Sequence, residues 1–526
     1  MRISFQGAAR QVTGSFHCVM SDGDLICLDC GMFQGKRQQS RELNAVIPCD
    51  PHLITNILLS HAHVDHCGRI PLITRQEGFN GHIISTRATA DACEYLLKDS
   101  ANIQESDADY LNYKTVRKFL GELGDSSFKA ELSGRELQKL KKQLKSKPHR
   151  LNRQLIAELM DKYNLNRIEP LYTMAQAEEA LHYFQPTAGR KPVRVGKNME
   201  ATFYNAGHIL GSAIIALRIQ EDGRNRTVMY TGDLGRYDKP IIKDPEHSFD
   251  AEDREVDLLI MESTYGDRLH EPVVDLKPLL KEVITETHGR GGVIMIPAFA
   301  YGRTQELIYY LHELYLEGAV PRMPIYIDSP LAVNITKVFG EHPETYDQET
   351  HATFLEKGKN PFMFKEIHYI HSVQESMNLN RAKEPHIVIA GSGMCEGGRI
   401  LHHFRHRIED ERNTILVVGY MAQHTLGRRI LDTGLEYDRS GRKGKPPLVR
   451  LFGSSHRLKA RVKRLGGFSA HGDRNEMTRF LKDSKLKINR IAVVHGEEEQ
   501  SLSFCSHLQQ LGYDAFVPRH GETIEM

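Results

Sequence analysis

His61-Ala62-His63-Val64-Asp65-His66 follows the apolar run Leu53-Ile54-Thr55-Asn56-Ile57-Leu58-Leu59-Ser60, which has the length and β-branched content of a buried strand. Cys67-Gly68-Arg69-Ile70-Pro71 then starts a new segment, so the histidines sit on a strand-to-helix loop. Three imidazoles and a carboxylate in so short a stretch are costly to bury unpaired. They are also the nitrogen and oxygen donors that zinc prefers. Backbone alternation points His61 and His63 toward one ion, whereas Asp65 and His66 lie past the turn and face a second. A solvated polar loop is the alternative reading, and the density of ligand-type side chains weighs against it.

Four donors cannot close two metal sites, so further ligands are expected downstream on loops that follow strands. Ala201-Thr202-Phe203-Tyr204-Asn205-Ala206-Gly207-His208 places His208 after one strand, and Thr227-Val228-Met229-Tyr230-Thr231-Gly232-Asp233 places Asp233 after the next. This order resembles the metallo-β-lactamase superfamily, with HxHxDH followed by a distant His and then an Asp. The resemblance implies that Asp233 bridges two ions. His61, His63 and His208 would complete one site, with Asp65 and His66 on the other. Asp29, in Leu28-Asp29-Cys30-Gly31, looks like the family's early Asp, a carboxylate that orients the ligand loops.

A chain of 526 residues is too long for one core, and two domains are the default. With 69 basic and 68 acidic residues the net charge is +1, so any affinity for phosphate must come from local patches. No apolar run approaches the ~18 residues of a membrane span. The start, Met1 to Gly7, has no signal-like apolar core and reads as a first strand, from which a cytoplasmic location and no membrane partner are expected. The eight cysteines form no disulfide framework. Cys27-Leu28-Asp29-Cys30 is formally CxxC, but its strand-like setting and lack of a second pair favour packing thiols.

Short strands with glycine turns fill residues 1–86. Residues from about 88 to 184 are helical in pattern, with amphipathic segments over Leu151–Tyr163 and Met174–Tyr183. Between them lies a basic stretch, Arg135, Lys139, Lys141, Lys142, Lys145, Lys147, His149, Arg150 and Arg153, readable as a solvated helix face or as a contact for a phosphate backbone. Val256 to Asp267 is another strand ending in carboxylates. After it, strand, glycine-containing loop and helix recur three times, through Ala300-Tyr301-Gly302-Arg303, Gly391-Ser392-Gly393-Met394 and Gln423-His424. Such repeats imply a parallel sheet with helix N-termini along one edge, a setting suited to phosphate at Arg303, Ser392 and Gly393. Near the end, His471 sits on a loop before a helix. His495 ends a buried strand, the placement the missing ligand needs.

Nearly the whole chain resembles the β-CASP nucleases of the metallo-β-lactamase superfamily. The likeness runs through GAARQVTGS, LDCG, HAHVDH, GHILGS, TGDLGR, MESTYGD, IDSPLA, GSGMCEGGRILHH, LGGFSAHGD and VVHGEEEQ. It implies an αββα sandwich with an inserted parallel-sheet β-CASP domain. The expected divisions are 1–266 and 433–526 for the sandwich and 267–432 for the insertion, with a helical basic segment at about 104–168 that has no counterpart in the short bacterial members. It also implies that His495 completes the second zinc site, that Glu262 supports His471, and that His471 faces the scissile phosphate. The expected activity is zinc-dependent hydrolysis of RNA. Two Zn2+ ions would lower the pKa of a water to give hydroxide for in-line attack, with Asp65, Glu262 and His471 catalytic and a 5′-phosphate on the product. The expected partner is RNA, single-stranded, with a homodimer left open. His495 favours RNA over the rival DNA nuclease, because DNA-processing members tend to have Val there. A small-molecule hydrolase would need neither Glu262, His471 nor the insertion.

Overall fold

The computed structural model describes residues 1–526 except Lys36, 126–132, 148–149, 271–275, Lys357, Lys359 and Tyr420. His149 of the basic stretch therefore lies outside the described residues. Two seven-stranded sheets and one six-stranded sheet carry the architecture. The first runs in the order Glu522–Glu525, Arg2–Phe5, His17–Ser21, Asp24–Leu28, Ile54–Leu58, His82–Thr86, Phe184–Thr187. Its first four strands pair antiparallel and its remaining neighbours pair parallel. The second runs Ala515–Phe516, Lys487–Val494, Glu255–Glu262, Arg224–Tyr230, Ala213–Glu221, Met199–Asn205, Val193–Gly196.

These sheets pack face to face because their strands alternate. Ile3, Phe5, Val19, Ile26, Leu28, Leu58 and Ile84 meet Phe203, Ile215, Leu217, Val228, Leu258, Ile260 and Val494 in one buried cluster. The residues between them on each strand face outward toward helices. Met477, Phe480, Phe504 and Leu508 cover the second sheet. The result is the αββα sandwich. Both chain ends belong to the first sheet: the N-terminal strand pairs with the C-terminal one, Ile3 opposite Ile524.

The third sheet is wholly parallel, in the order Ile367–Tyr369, Ile325–Ile327, Ile387–Ala390, Ile294–Pro297, Thr414–Val417, Arg461–Arg464. Its β-loop-α grammar follows the sequence: Ile294–Pro297 leads to the helix Arg303–Leu316, and Ile387–Ala390 to the helix Ile400–Arg407. The helix Leu426–Arg439 runs through position 432, and Arg461–Arg464 is hydrogen-bonded to Thr414–Val417. The inserted sheet therefore extends past residue 432, because a sixth strand returns to it after a two-stranded ribbon at Leu448–Leu451 and Ser454–Arg457.

The helix Arg87–Asp125 is long enough to serve two bodies. Its first half packs on the sandwich and the helix Pro330–Glu341, where His342 Nε2 lies 2.7 Å from Asp91 Oδ2. Its second half joins the helices Gly134–Gln143 and Arg153–Lys162 around a separate small core of Tyr113, Val116, Leu120, Leu137, Ile156, Leu159 and Met160. The basic residues of this segment point mostly outward, although Arg153 pairs with Asp109 at 2.5 Å and Lys145 lies over the Tyr113 ring.

Candidate metal centre

The carboxyl ends of the two sandwich sheets converge on one cluster of titratable side chains. Ile54–Leu58 delivers His61 and His63 on the loop that follows it, and the one-turn helix Val64–Cys67 carries Asp65 and His66. Met199–Asn205 and Arg224–Tyr230 deliver His208 and Asp233, Glu255–Glu262 ends on Glu262, and Lys487–Val494 stops one residue before His495. Strands that are adjacent in a sheet thus bring together residues hundreds of positions apart.

Close glycine contacts let the loops interlock. A Cβ on Gly31 would lie 1.6 Å from the Asp65 carbonyl oxygen, so the turn after Asp29 can approach only as glycine. One on Gly235 would lie 1.8 Å from the Gly207 carbonyl oxygen, which is why the Asp233 and His208 loops can touch. Asp29 and His495 are held in the left-handed region at φ +62° and +51°, an uncommon conformation for residues with a side chain. The loop after the first strand holds two of these elements. The His495 amide donates to the Ala8 carbonyl at 2.6 Å, and the Ser15 amide donates to the Asp65 carbonyl at 2.9 Å.

Two donor sets result. His61 Nε2 lies 3.1 Å from His63 Nδ1, His208 Nε2 lies 3.3 Å from His63 Nδ1, and Asp233 Oδ2 stands 3.4 and 3.5 Å from His61 Nε2 and His208 Nε2. Four donors about 2.0–2.1 Å from a tetrahedral zinc stand roughly 3.3–3.4 Å from one another. The observed separations bracket that edge length. The second set is Asp65, His66 and His495, with His66 Nε2 3.0 Å from His495 Nε2 and 3.3 Å from Asp233 Oδ1. Asp233 Oδ1 is buried without a hydrogen-bond partner, an orphaned acceptor between the two sets. A bridging carboxylate has that position.

The surroundings fix the imidazole tautomers. Asp29 Oδ2 accepts from His66 Nδ1 at 2.6 Å and from Tyr230 Oη at 2.6 Å, and Asp29 Oδ1 accepts from the Ser60 amide at 2.7 Å. Ser60 Oγ also stands 3.0 Å from His61 Nδ1. Both arrangements leave Nε2 of His61 and His66 facing the cluster, as ligation requires. Burial opposes charge on His66, yet Asp233 and Asp29 hold its pKa well above the ordinary value. Burial likewise opposes charge on Asp233, but the surrounding histidines pull its carboxyl well below the usual range. Burial holds His61, His63 and His208 below the ordinary imidazole pKa, which keeps them neutral donors. Ser60, Tyr230 and Thr264, whose Oγ1 lies 3.1 Å from His495 Nδ1, escaped the sequence reading. Only the adjacency of Ser60 to His61 gave any signal for them.

His471 stands beside this cluster, half-exposed. Its Nδ1 is 3.1 Å from Glu262 Oε1 and 3.8 Å from Asp233 Oδ2. Glu262 is fully buried and itself accepts from the Leu234 amide at 2.6 Å and the Thr264 amide at 3.3 Å. Burial works against charge on His471, but Glu262 and Asp233 raise its pKa to about 9. It stands at the rim of the cluster, held by Glu262.

The three residues expected to hold phosphate do not share one setting. Arg303 is 8% exposed, pairs with Glu306 at 2.7 Å and lies over the Phe468 ring, while Lys239 reaches the same carboxylate at 2.9 Å. It is a buried structural ion pair rather than a free phosphate ligand. Sequence placed the charge at a helix start but gave no sign that Glu306 pairs with it or that Lys239 shares that carboxylate. Ser392 and Gly393 remain on a partly open loop, with Ser392 Oγ 3.3 Å from the Gly397 carbonyl and Gly393 against the exposed ring of Phe299.

Comparison with known proteins agrees with this geometry. Residues 304–430 match the Beta-Casp domain, and residues 455–518 match the Zn-dependent metallo-hydrolase RNA specificity domain. Ribonuclease TTHA0252 of Thermus thermophilus is 34% identical over 525 residues, covering 100% of both chains. An RNase J-like protein of Methanocaldococcus jannaschii is 28% identical, covering 99% of this chain and 98% of its own. The transcription termination factor FttA of the same organism is 28% identical across this whole chain and 72% of its own length. A crystal structure of a protein of unknown function from Enterococcus faecalis V583 shares the fold, with TM-score 0.50, 13% identity and 99% coverage of each chain. Among the described residues, no helix is long and apolar enough to cross a membrane.

Proposed function

This chain belongs to the β-CASP ribonucleases of the metallo-β-lactamase superfamily, and on that premise we propose a two-zinc mechanism for its hydrolysis of RNA. It is a metal-dependent hydrolase. The observation that carries the two-ion reading is the orphaned, buried Asp233 between two convergent donor sets. His61, His63, His208 and Asp233 would hold one ion, and Asp65, His66, Asp233 and His495 the other. Ions bound there would supply Lewis acidity, lowering the pKa of a water toward neutrality and offsetting charge that builds on the phosphate.

The protein's own groups do the rest. Asp65, whose carboxylate is 19% exposed at the mouth of the cluster, orients the attacking water by accepting its hydrogen bond. His471, held at Nδ1 by Glu262, donates from Nε2 to a non-bridging phosphate oxygen or to the departing 3′-oxygen. Asp29 keeps His66 in the ligating tautomer. The Ser392–Gly393 loop holds phosphates of single-stranded RNA away from the reacting bond. Attack at phosphorus with loss of the 3′-oxygen leaves a 5′-phosphate on the downstream fragment. Digesting a uniformly labelled RNA of defined sequence and identifying the new ends tests this, since products ending in 3′-phosphate would require a different leaving group.

A further inference from the structure

Away from the histidine centre, three thiols meet under the first sheet. Cys18 and Cys27 are directly opposite in the antiparallel register of His17–Ser21 and Asp24–Leu28, with their Sγ atoms 3.9 Å apart. Cys49, from the connection between the helix Arg37–Ala45 and the turn Pro51–Leu53, brings a third sulfur, and all three lie within 4.8 Å of one another. Cys30, the formal CxxC partner of Cys27, is not in the group. We propose that Cys18, Cys27 and Cys49 form a separate three-thiolate site for a thiophilic divalent cation of the zinc class.

Distances fit that chemistry. Sulfurs about 2.3 Å from a tetrahedral zinc stand roughly 3.8 Å apart, close to the Cys18–Cys27 separation. A disulfide would bring two sulfurs to about 2.05 Å, which this pair does not approach. The third thiol comes from outside the sheet and is only half-buried. It leaves a path for an ion to enter and room for water as a fourth ligand.

A second, independent feature is the charge beside the thiols. Arg69 is 2% exposed and sits between the rings of Phe16 and Phe33, its guanidinium carbon 5.4 and 4.9 Å from their centroids. Its Nε donates to the Gly31 carbonyl and its Nη1 to the Val46 carbonyl, but Nη2 is buried with no hydrogen-bond partner. Burial works against its charge, and the thiols of Cys30, Cys49 and Cys18 favour it. A buried guanidinium with no anion is costly. Three thiolates, a divalent ion and Arg69 sum to zero charge, whereas three neutral thiols leave the guanidinium uncompensated. Ion binding would release the thiol protons to solvent, so occupancy falls as pH is lowered.

The test uses the full chain and Cd2+ as probe, because the histidine centre contains no sulfur. Adding Cd2+ to zinc-free protein should produce a sulfur-to-cadmium ultraviolet charge-transfer band that saturates at one equivalent. The band should disappear in Cys49→Ser and persist in Cys505→Ser, and Cys49→Ser isolated from zinc-supplemented cells should carry one zinc fewer than the parent. Absence of the band in the parent, or unchanged zinc in Cys49→Ser, overturns the proposal. Should Cys49→Ser fail to fold, alkylation of the native parent decides. Protection of Cys49 by Cd2+ supports the site, and equal modification with and without Cd2+ refutes it.

Discussion

The Nε2 atoms of His66 and His495 stand 3.0 Å apart although the residues are 429 positions apart in the chain. One sits on the loop of a first-sheet strand and the other at the end of a second-sheet strand. Their approach exists only when the sandwich is closed, with the C-terminal part of the chain returned past the inserted sheet. Metal binding at this pair is therefore coupled to folding of both ends of the chain. Replacing His495 by Ala should lower zinc content by about one equivalent and also lower the melting temperature of zinc-loaded protein more than that of stripped protein. Equal losses in both forms would mean that His495 acts through packing alone.

Asp29 makes a prediction about orientation rather than ligation. It has no place in either donor set, yet it accepts from His66, Ser60 and Tyr230. Asp29→Asn keeps the shape but places an amide where one acceptor is required. Zinc affinity should fall by about 10–100-fold, the usual scale for such supporting groups. A competition titration with a chelator of known affinity reads this directly, and unchanged affinity would count against the orienting role.

His471 should separate binding of metal from cleavage. The variant His471→Ala is expected to retain its zinc and to lose RNA cleavage by about 10²-fold or more. Glu262→Gln should lose less, because the imidazole remains in place while one charge that raises its pKa is gone. Single-turnover assays on zinc-replete protein provide the comparison. Near-normal cleavage by His471→Ala would reduce it to a loop residue before the helix Arg474–Asp483.

The sequence reading was strongest where ligand-type residues stand next to strand signals. HAHVDH, His208, Asp233 and His495 each follow an apolar run, and the structure brings all of them together. It was weaker where partners are distant. Nothing near Arg303 in the chain announces Lys239, and nothing near Cys27 announces Cys49. The extent of the inserted sheet was also hidden, because Arg461–Arg464 has only four residues, with Val462 its single apolar side chain. An edge strand so charged has little apolar signature, and only its pairing with Thr414–Val417 reveals it.

Ser392 offers a test of substrate holding that leaves the metals untouched. Ser392→Ala should weaken binding of a short single-stranded RNA several-fold with zinc content unchanged. Arg303→Ala, by contrast, should chiefly destabilise the protein, since it removes one of the two cations held by the buried Glu306 and the guanidinium packed on the Phe468 ring. Equal RNA affinity for Ser392→Ala and the parent would make that loop a packing element.

Acid sensitivity should have a second source in the inserted sheet. Burial alone would raise the pKa of Asp328, but hydrogen bonds from His403, Ser376 and Arg399, at 2.7, 2.6 and 2.7 Å, hold it below the ordinary value. A carboxyl depressed in the folded state contributes stability above its unfolded pKa of about 3.9, and that stability fades as pH falls through the lower folded value. Asp328→Asn should cost about 3–5 kcal/mol at neutral pH, the scale for removing one partner of a buried pair. Its deficit should shrink below pH ~4. Denaturant melts across that range check the sign, and a deficit that stays constant with pH would show that the pairing is not ionic.

The most direct test of the account is cleavage of one uniformly labelled RNA by protein stripped of metal and then refilled. Stripped protein should leave the RNA intact. In Cys49→Ser protein, which lacks the proposed thiol site, activity should return in step with zinc up to two equivalents, with a 5′-phosphate on each downstream fragment. Persistent cleavage by protein shown to be metal-free, or full activity after a single equivalent, would contradict the two-ion centre at Asp233.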